Sequence, residues 1–194
     1  MRQLIAELDA QPTHVVGFSM GGYLALERVV ASPHNVLSLT LICSSANGLK
    51  AEEIKRRQRA LAALRDRSYA GIPAVQMANF VGSANLADEA VVGVVRDMDR
   101  SLGKPVFLAQ MSATMDRPSL TGQLPGVSCP LLIVGSEDDR MIDANELRTM
   151  HAAVPGSRLV MLHGVGHMIP LEAPQALSRE MSRFWLDAQT APRA

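Results

Sequence analysis

Hydrophobic spacing along the chain alternates between the helical and the extended period. Leu4, Ile5 and Leu8 recur at helical spacing until Pro12 interrupts them, and an apolar run over 14–18 follows, which predicts a helix and then a strand. Small and apolar residues over 20–31 predict a second helix, ended at Ser32-Pro33 because a residue before proline is driven from the helical region. A strand over 36–42 comes next. Residues 46–126 hold no strand pattern but four amphipathic pieces, at 51–67, 73–81, 86–99 and 104–115, so they are expected to form a helical insertion. Beyond it the pattern predicts a strand at 130–134, a helix opened by Asp143 with Glu146 placed for a capping box, and a strand at 158–162. A last helix runs from Pro174 to about Asp187, with a frayed tail from Gln189. Short apolar strands separated by helices imply a parallel sheet covered on both faces, an α/β class.

Length and composition narrow this little further. The 194 residues suffice for one substantial core, and a single domain carrying the 46–126 insertion is expected. Equal numbers of basic and acidic residues leave no net field to draw nucleic acid or an anionic membrane, so the expected partner is a small, fairly neutral molecule. The basic excess at 50–67, with Lys50, Lys55 and Arg56 among its members, reads as a solvated helix face. Cys43 and Cys129 are far apart and show no zinc or disulfide spacing, which predicts reduced core thiols and no metal site. No apolar run has membrane-spanning length, and Glu7 and Asp9 interrupt what a signal peptide would need, so a cytoplasmic location is expected.

Candidate chemistry is concentrated at predicted strand ends. Gly17-Phe18-Ser19-Met20-Gly21 places G-x-S-x-G between a strand and a helix. There, side chains at positions 17 or 21 are expected to crowd the backbone, and the serine is lifted out of the sheet. Ser19 is the candidate nucleophile, and the backbone N–H of Met20, at a helix N-terminus, is the candidate oxyanion donor. A serine hydroxyl needs a base and an orienting acid. The third strand leads into the acidic cluster Glu137-Asp138-Asp139, and the fourth into the glycine loop that holds His167. His14, His34 and His151 read as structural, and His163 is a minor rival. Parallel sheets gather active groups at the carboxyl ends of their strands, so the three loops can converge. The order serine, acid, histidine is the one associated with this serine motif on a strand-to-helix turn.

The runs P-L-L-I-V-G-S-E-D-D, V-P-G-S-R-L-V and G-V-G-H-M-I-P-L-E-A-P, with the serine motif, resemble the α/β-hydrolase fold family and its esterases. The resemblance covers residues 3–45 and about 120–187, and implies a partial α/β-hydrolase sheet equivalent to strands 5–8 of that fold, with a helical cap between. It maps the acid onto Asp138, with Asp139 the alternative, and the histidine onto His167. It implies ester hydrolysis through an acyl-enzyme, with no cofactor and no metal.

In that family four strands precede the nucleophile strand, and only residues 1–12 precede it here. The strand at 14–18 is therefore expected at a sheet edge, where exposed backbone and aliphatics favour dimerisation. A catalytically impaired remnant of a hydrolase, or an interaction module working through that edge, are the competing readings.

Overall fold

A computed structural model describes residues 11–65 and 68–190. The helix expected within residues 1–10 and the last four residues of the tail lie outside the described residues. Four strands, β1 (Thr13–Phe18), β2 (Val36–Ile42), β3 (Leu131–Ser136) and β4 (Arg158–Leu162), form one sheet in the order β1-β2-β3-β4. All three pairings are parallel. The register is what places the site. Phe18 sits opposite Ile42, Ile42 opposite Val134 and Val134 opposite Val160, so all four chains leave the sheet from one edge within a few residues of a common row.

The side-chain period of two divides the central strands between the two faces. Leu39, Leu41, Leu131 and Ile133 pack with Leu26 and Val29 of helix α1 (Met20–Ala31). Leu147 and Met150 of helix α5 (Ala144–Ala153) join the same cluster. Ile42, Leu132 and Val134 face the other way, against Leu177 and Phe184 of helix α7 (Pro174–Thr190). Burial on both faces explains why β3 reads as an uninterrupted apolar run. The sheet edge at β1 is more open, with Val16 43% exposed.

Between β2 and β3 the described residues form helices and turns: α2 (Ala51–Arg65), α3 (Ala74–Met77), a 3-10 turn (Ser83–Asn85), α4 (Glu89–Ala113) and a 3-10 turn (Thr121–Gly126). Two of the expected amphipathic pieces are one bent helix, α4. It breaks at Gly103, whose φ of 64° and ψ of −174° are non-helical, and Pro105 starts the second limb without needing an N–H. Met77, Val81, Val91, Val92 and Val95 close a separate small core with Met168.

Further details add to the expected pattern. Strand β3 continues two residues past Val134, pairing Gly135 and Ser136 with Met161 and Leu162. Asp143 caps α5 by accepting the N–H of Asn145. A four-residue helix, α6 (Ile169–Glu172), lies between the histidine loop and α7; its brevity leaves no periodicity to read. Helix α7 itself runs to Thr190, so the first residues of the tail expected to fray are helical.

Truncating Ile133, which has no solvent exposure, to alanine should cost about 2–5 kcal/mol. Val16→Thr at the open edge should change stability by about 0.5 kcal/mol or less. Urea unfolding of the two variants checks this, and a similar loss in both would contradict the placement of the core.

Candidate active site

Ser19 occupies the sharp turn between β1 and α1 with φ 51° and ψ −119°, a conformation that L-residues seldom adopt. Holding a non-glycine residue there costs on the order of 1–3 kcal/mol, so the surroundings must impose it. The Ser19 N–H donates to the carbonyl of Ile42 at 2.9 Å, while the Ser19 carbonyl accepts from the N–H groups of Gly22 and Tyr23. Close contacts dictate two of the neighbouring glycines. A Cβ on Gly17 would stand 2.5 Å from both the Gly21 carbonyl oxygen and Gly22 Cα. The second crowded position is Gly22, where a Cβ would meet Ser44 Cβ at 2.4 Å; at Gly21 nothing lies within 4 Å. The crowding expected at Gly21 is thus found one residue later, because Gly22 is the residue that passes against the loop after β2.

His167 stands in the loop after β4 and is 2% exposed. Its Nε2 is 2.8 Å from Ser19 Oγ, and its Nδ1 is 2.8 Å from Oδ2 of Asp139. The acid that faces the imidazole is therefore Asp139, and the assignment to Asp138 is corrected. The resemblance counts the acid as the third residue after a strand ending at Gly135; β3 runs on to Ser136, so the third residue beyond the sheet is 139. Asp138 turns outward, its N–H donating to Ser136 Oγ and its carboxylate accepting the N–H of Gly164 at 2.8 Å. The side chain of Asp139 has no solvent exposure, and its Oδ1 accepts the N–H groups of Met141 and Ile142 at 2.8 and 3.1 Å. One oxygen is anchored to backbone and the other is left for the imidazole, an arrangement that selects the tautomer with a proton on Nδ1 and a lone pair on Nε2.

The remaining histidines are engaged or exposed elsewhere. Nδ1 of His14 contacts Ser38 Oγ and that of His151 contacts Ser157 Oγ, while His34 and His163 are exposed. Met20 is the first residue of α1, so its N–H is among the four that an α-helix leaves without an intrahelical acceptor.

Cys43, read from the sequence as a core thiol, is fully buried and also follows directly from a strand end, with φ 46°. Burial, and then the neighbouring Asp139 carboxylate, push its thiol pKa far up, so it stays protonated beside Asp139. Among the described residues Cys43, Asp139 and His167 bring ligand-type atoms within 4.8 Å of one another. A metal there would have to displace the histidine–aspartate hydrogen bond and deprotonate the thiol, so this donor set fits the cation poorly. Cys129 lies elsewhere, its thiol pushed up to about 11 by burial. The signal that could have singled out Cys43 is its position, since it follows β2 as Ser19 follows β1.

Two cavities flank the cluster. An apolar groove of about 430 Å³ is lined by Met20 and Leu24 of α1 and by Pro105, Val106, Ala109 and Ala113 of α4. A polar cavity of about 260 Å³ borders the other side, where Asp139 and Arg140 face Gly82 and Ser83.

A strained serine between a parallel strand and a helix, facing a buried histidine–aspartate pair at the carboxyl ends of two further strands, is the arrangement of the α/β hydrolases. Residues 1–180 match the alpha/beta hydrolase family, and the chain belongs to that family. Among its relatives, the protein BpoC of Mycobacterium tuberculosis strain H37Rv is 27% identical, the match covering 94% of this chain and 71% of BpoC. The uncharacterised hydrolase YugF of Bacillus subtilis is 25% identical over 93% of this chain and 68% of its own length. A thermophilic esterase from Thermogutta terrifontis shares the fold with a TM-score of 0.87 at 24% identity, over 96% of this chain and 70% of the esterase.

Gly17→Ala should destabilise the protein by roughly 1–3 kcal/mol through overpacking against backbone. Gly21→Ala, in open space on a helix, should be neutral or gain up to about 1 kcal/mol. Thermal unfolding of the pair checks this, and equal losses would contradict the described turn.

Proposed function

We propose that the chain is a serine hydrolase of carboxylic esters working through an acyl-enzyme. The observation that carries this reading is the unbroken hydrogen-bonded line from Ser19 Oγ through both nitrogens of His167 to Asp139. Ser19 Oγ attacks the ester carbonyl carbon as His167 Nε2 takes its proton. Asp139 holds the ring and stabilises the imidazolium so formed. The carbonyl oxygen, now negative, is met by the Met20 N–H and the positive end of α1. Collapse expels the alcohol, which receives the proton from His167, and leaves the acyl group on Ser19. Water, activated by the same imidazole, then releases the acid. The apolar groove beginning at Met20 suits an apolar portion of the ester. No cofactor takes part in these steps.

Hydrolysis of p-nitrophenyl acetate tests both the reading and the choice of acid. Ser19→Ala should abolish turnover, and Asp139→Asn should lower kcat on the order of 10³-fold or more. Asp138→Asn should stay within about threefold, since its carboxylate serves only a loop N–H. Retained activity in Ser19→Ala would refute the mechanism, and a larger loss at Asp138 than at Asp139 would refute the assignment of the acid.

A further inference from the structure

The histidine loop does not hold its shape alone. Glu172, the last residue of α6, directs its carboxylate between that loop and the segment at 80–85. Its Oε2 accepts the Gly82 N–H at 2.7 Å, the Asn85 side-chain amide at 2.9 Å and the Gly166 N–H at 3.0 Å, and its Oε1 accepts Gly166 again at 2.9 Å. The two backbones touch there. A Cβ on Gly82 would lie 2.7 Å from the Gly166 nitrogen, and one on Gly166 would lie 2.5 Å from the Gly82 nitrogen. Two N–H groups brought this close repel unless one acceptor serves both, and a carboxylate has the lone pairs and the charge to do so.

Gly166 precedes His167, and on the other side Met168 donates its N–H to the Phe80 carbonyl at 3.0 Å. The histidine is therefore bracketed by two links to one stretch of the helical region between β2 and β3. We propose that Glu172 is a positioning residue: it fastens the 80–85 segment to the histidine loop, so that the imidazole reaches Ser19 only while that segment is docked. This rests on Ser19 and His167 being the reacting pair. Glu172 touches neither the nucleophile nor the space before it, and acts through Gly166.

Glu172→Gln removes the charge and puts an NH₂ where an oxygen now accepts, so either the Gly166 N–H loses one of its two acceptors and faces a donor, or the Gly82 and Asn85 donors lose theirs. With p-nitrophenyl acetate it should lower kcat by about 10- to 100-fold, since small displacements of a catalytic group have effects of that order, while KM stays within about threefold. Asn85→Ala removes one arm on the far side and should leave kcat within about threefold. Asn85→Asp sets a second carboxylate against Glu172 and should lower kcat by about tenfold, which decides the matter if Glu172→Gln does not fold. Hydrogen exchange supplies a readout independent of turnover: in Glu172→Gln, or in Asn85→Asp in its place, the amides at 80–85 and at 163–168 should both exchange about tenfold faster or more. If the wild-type protein hydrolyses no ester, the reading of Ser19 fails, and the exchange result alone judges the staple. Wild-type kcat in Glu172→Gln and in Asn85→Asp, or unchanged exchange in either segment, would overturn the proposal.

Discussion

The site depends on one alignment, the shared register of four parallel strands. Phe18, Ile42, Val134 and Val160 lie in one row across the sheet. Ser19 and Cys43 each follow a strand in that row directly, and Asp139 and His167 are a few residues beyond it. Hydrogen bonding of adjacent strands thus does in one step what four independent loops could not, bringing groups as much as 148 positions apart to within 2.8 Å. The interior of the sheet is stiff because Leu39, Leu41, Leu132, Ile133 and Val134 are all without meaningful exposure, and a packed interior holds register.

On this rigid base the protein keeps local strain at the candidate site. Ser19 and Cys43 both have positive φ without being glycine, and each is held by an N–H bond to the preceding strand end of its neighbour, Ser19 to Ile42 and Cys43 to Val134. Burial of Asp139 and His167 removes water that would compete for their hydrogen bond, and the Met141 and Ile142 amides keep the aspartate from turning away. The strength of the arrangement lies in its being fully partnered: the aspartate, the imidazole and the adjoining thiol each have a defined neighbour. The strained serine is flanked by the glycines where a methyl group would collide, Gly17 with the backbone of the following helix and Gly22 with Ser44, which links the small residues of the turn to the position of the serine hydroxyl.

Much of this is legible in the sequence. Strands that are buried on both faces give apolar runs, and helices between them give a different period, so the α/β class and the order of elements follow from the pattern. The serine is legible because its turn demands small residues at short range, and the histidine because its loop follows a strand at the end of the sheet where the serine also lies. The acid could not be fixed, since Asp138 and Asp139 are chemically alike and only the length of β3 decides which one turns inward. That length depends on the pairing of Gly135 and Ser136 with β4, a contact between distant parts of the chain. The need for glycine at position 22 is hidden for the same kind of reason, since the crowding comes from Ser44 on another strand end. Glu172 stood in a recognisable run, but its partners Gly82 and Asn85 are 90 and 87 positions away. Nothing local marks it.

The central claim is that Ser19 is a nucleophile activated by His167. Its most direct measurement is labelling of the purified protein with a fluorophosphonate, followed by mass mapping of the modified residue. The account predicts one adduct, on Ser19, absent in Ser19→Ala and in His167→Ala although both variants remain folded. Labelling elsewhere, or no labelling of a folded wild-type protein, would contradict it.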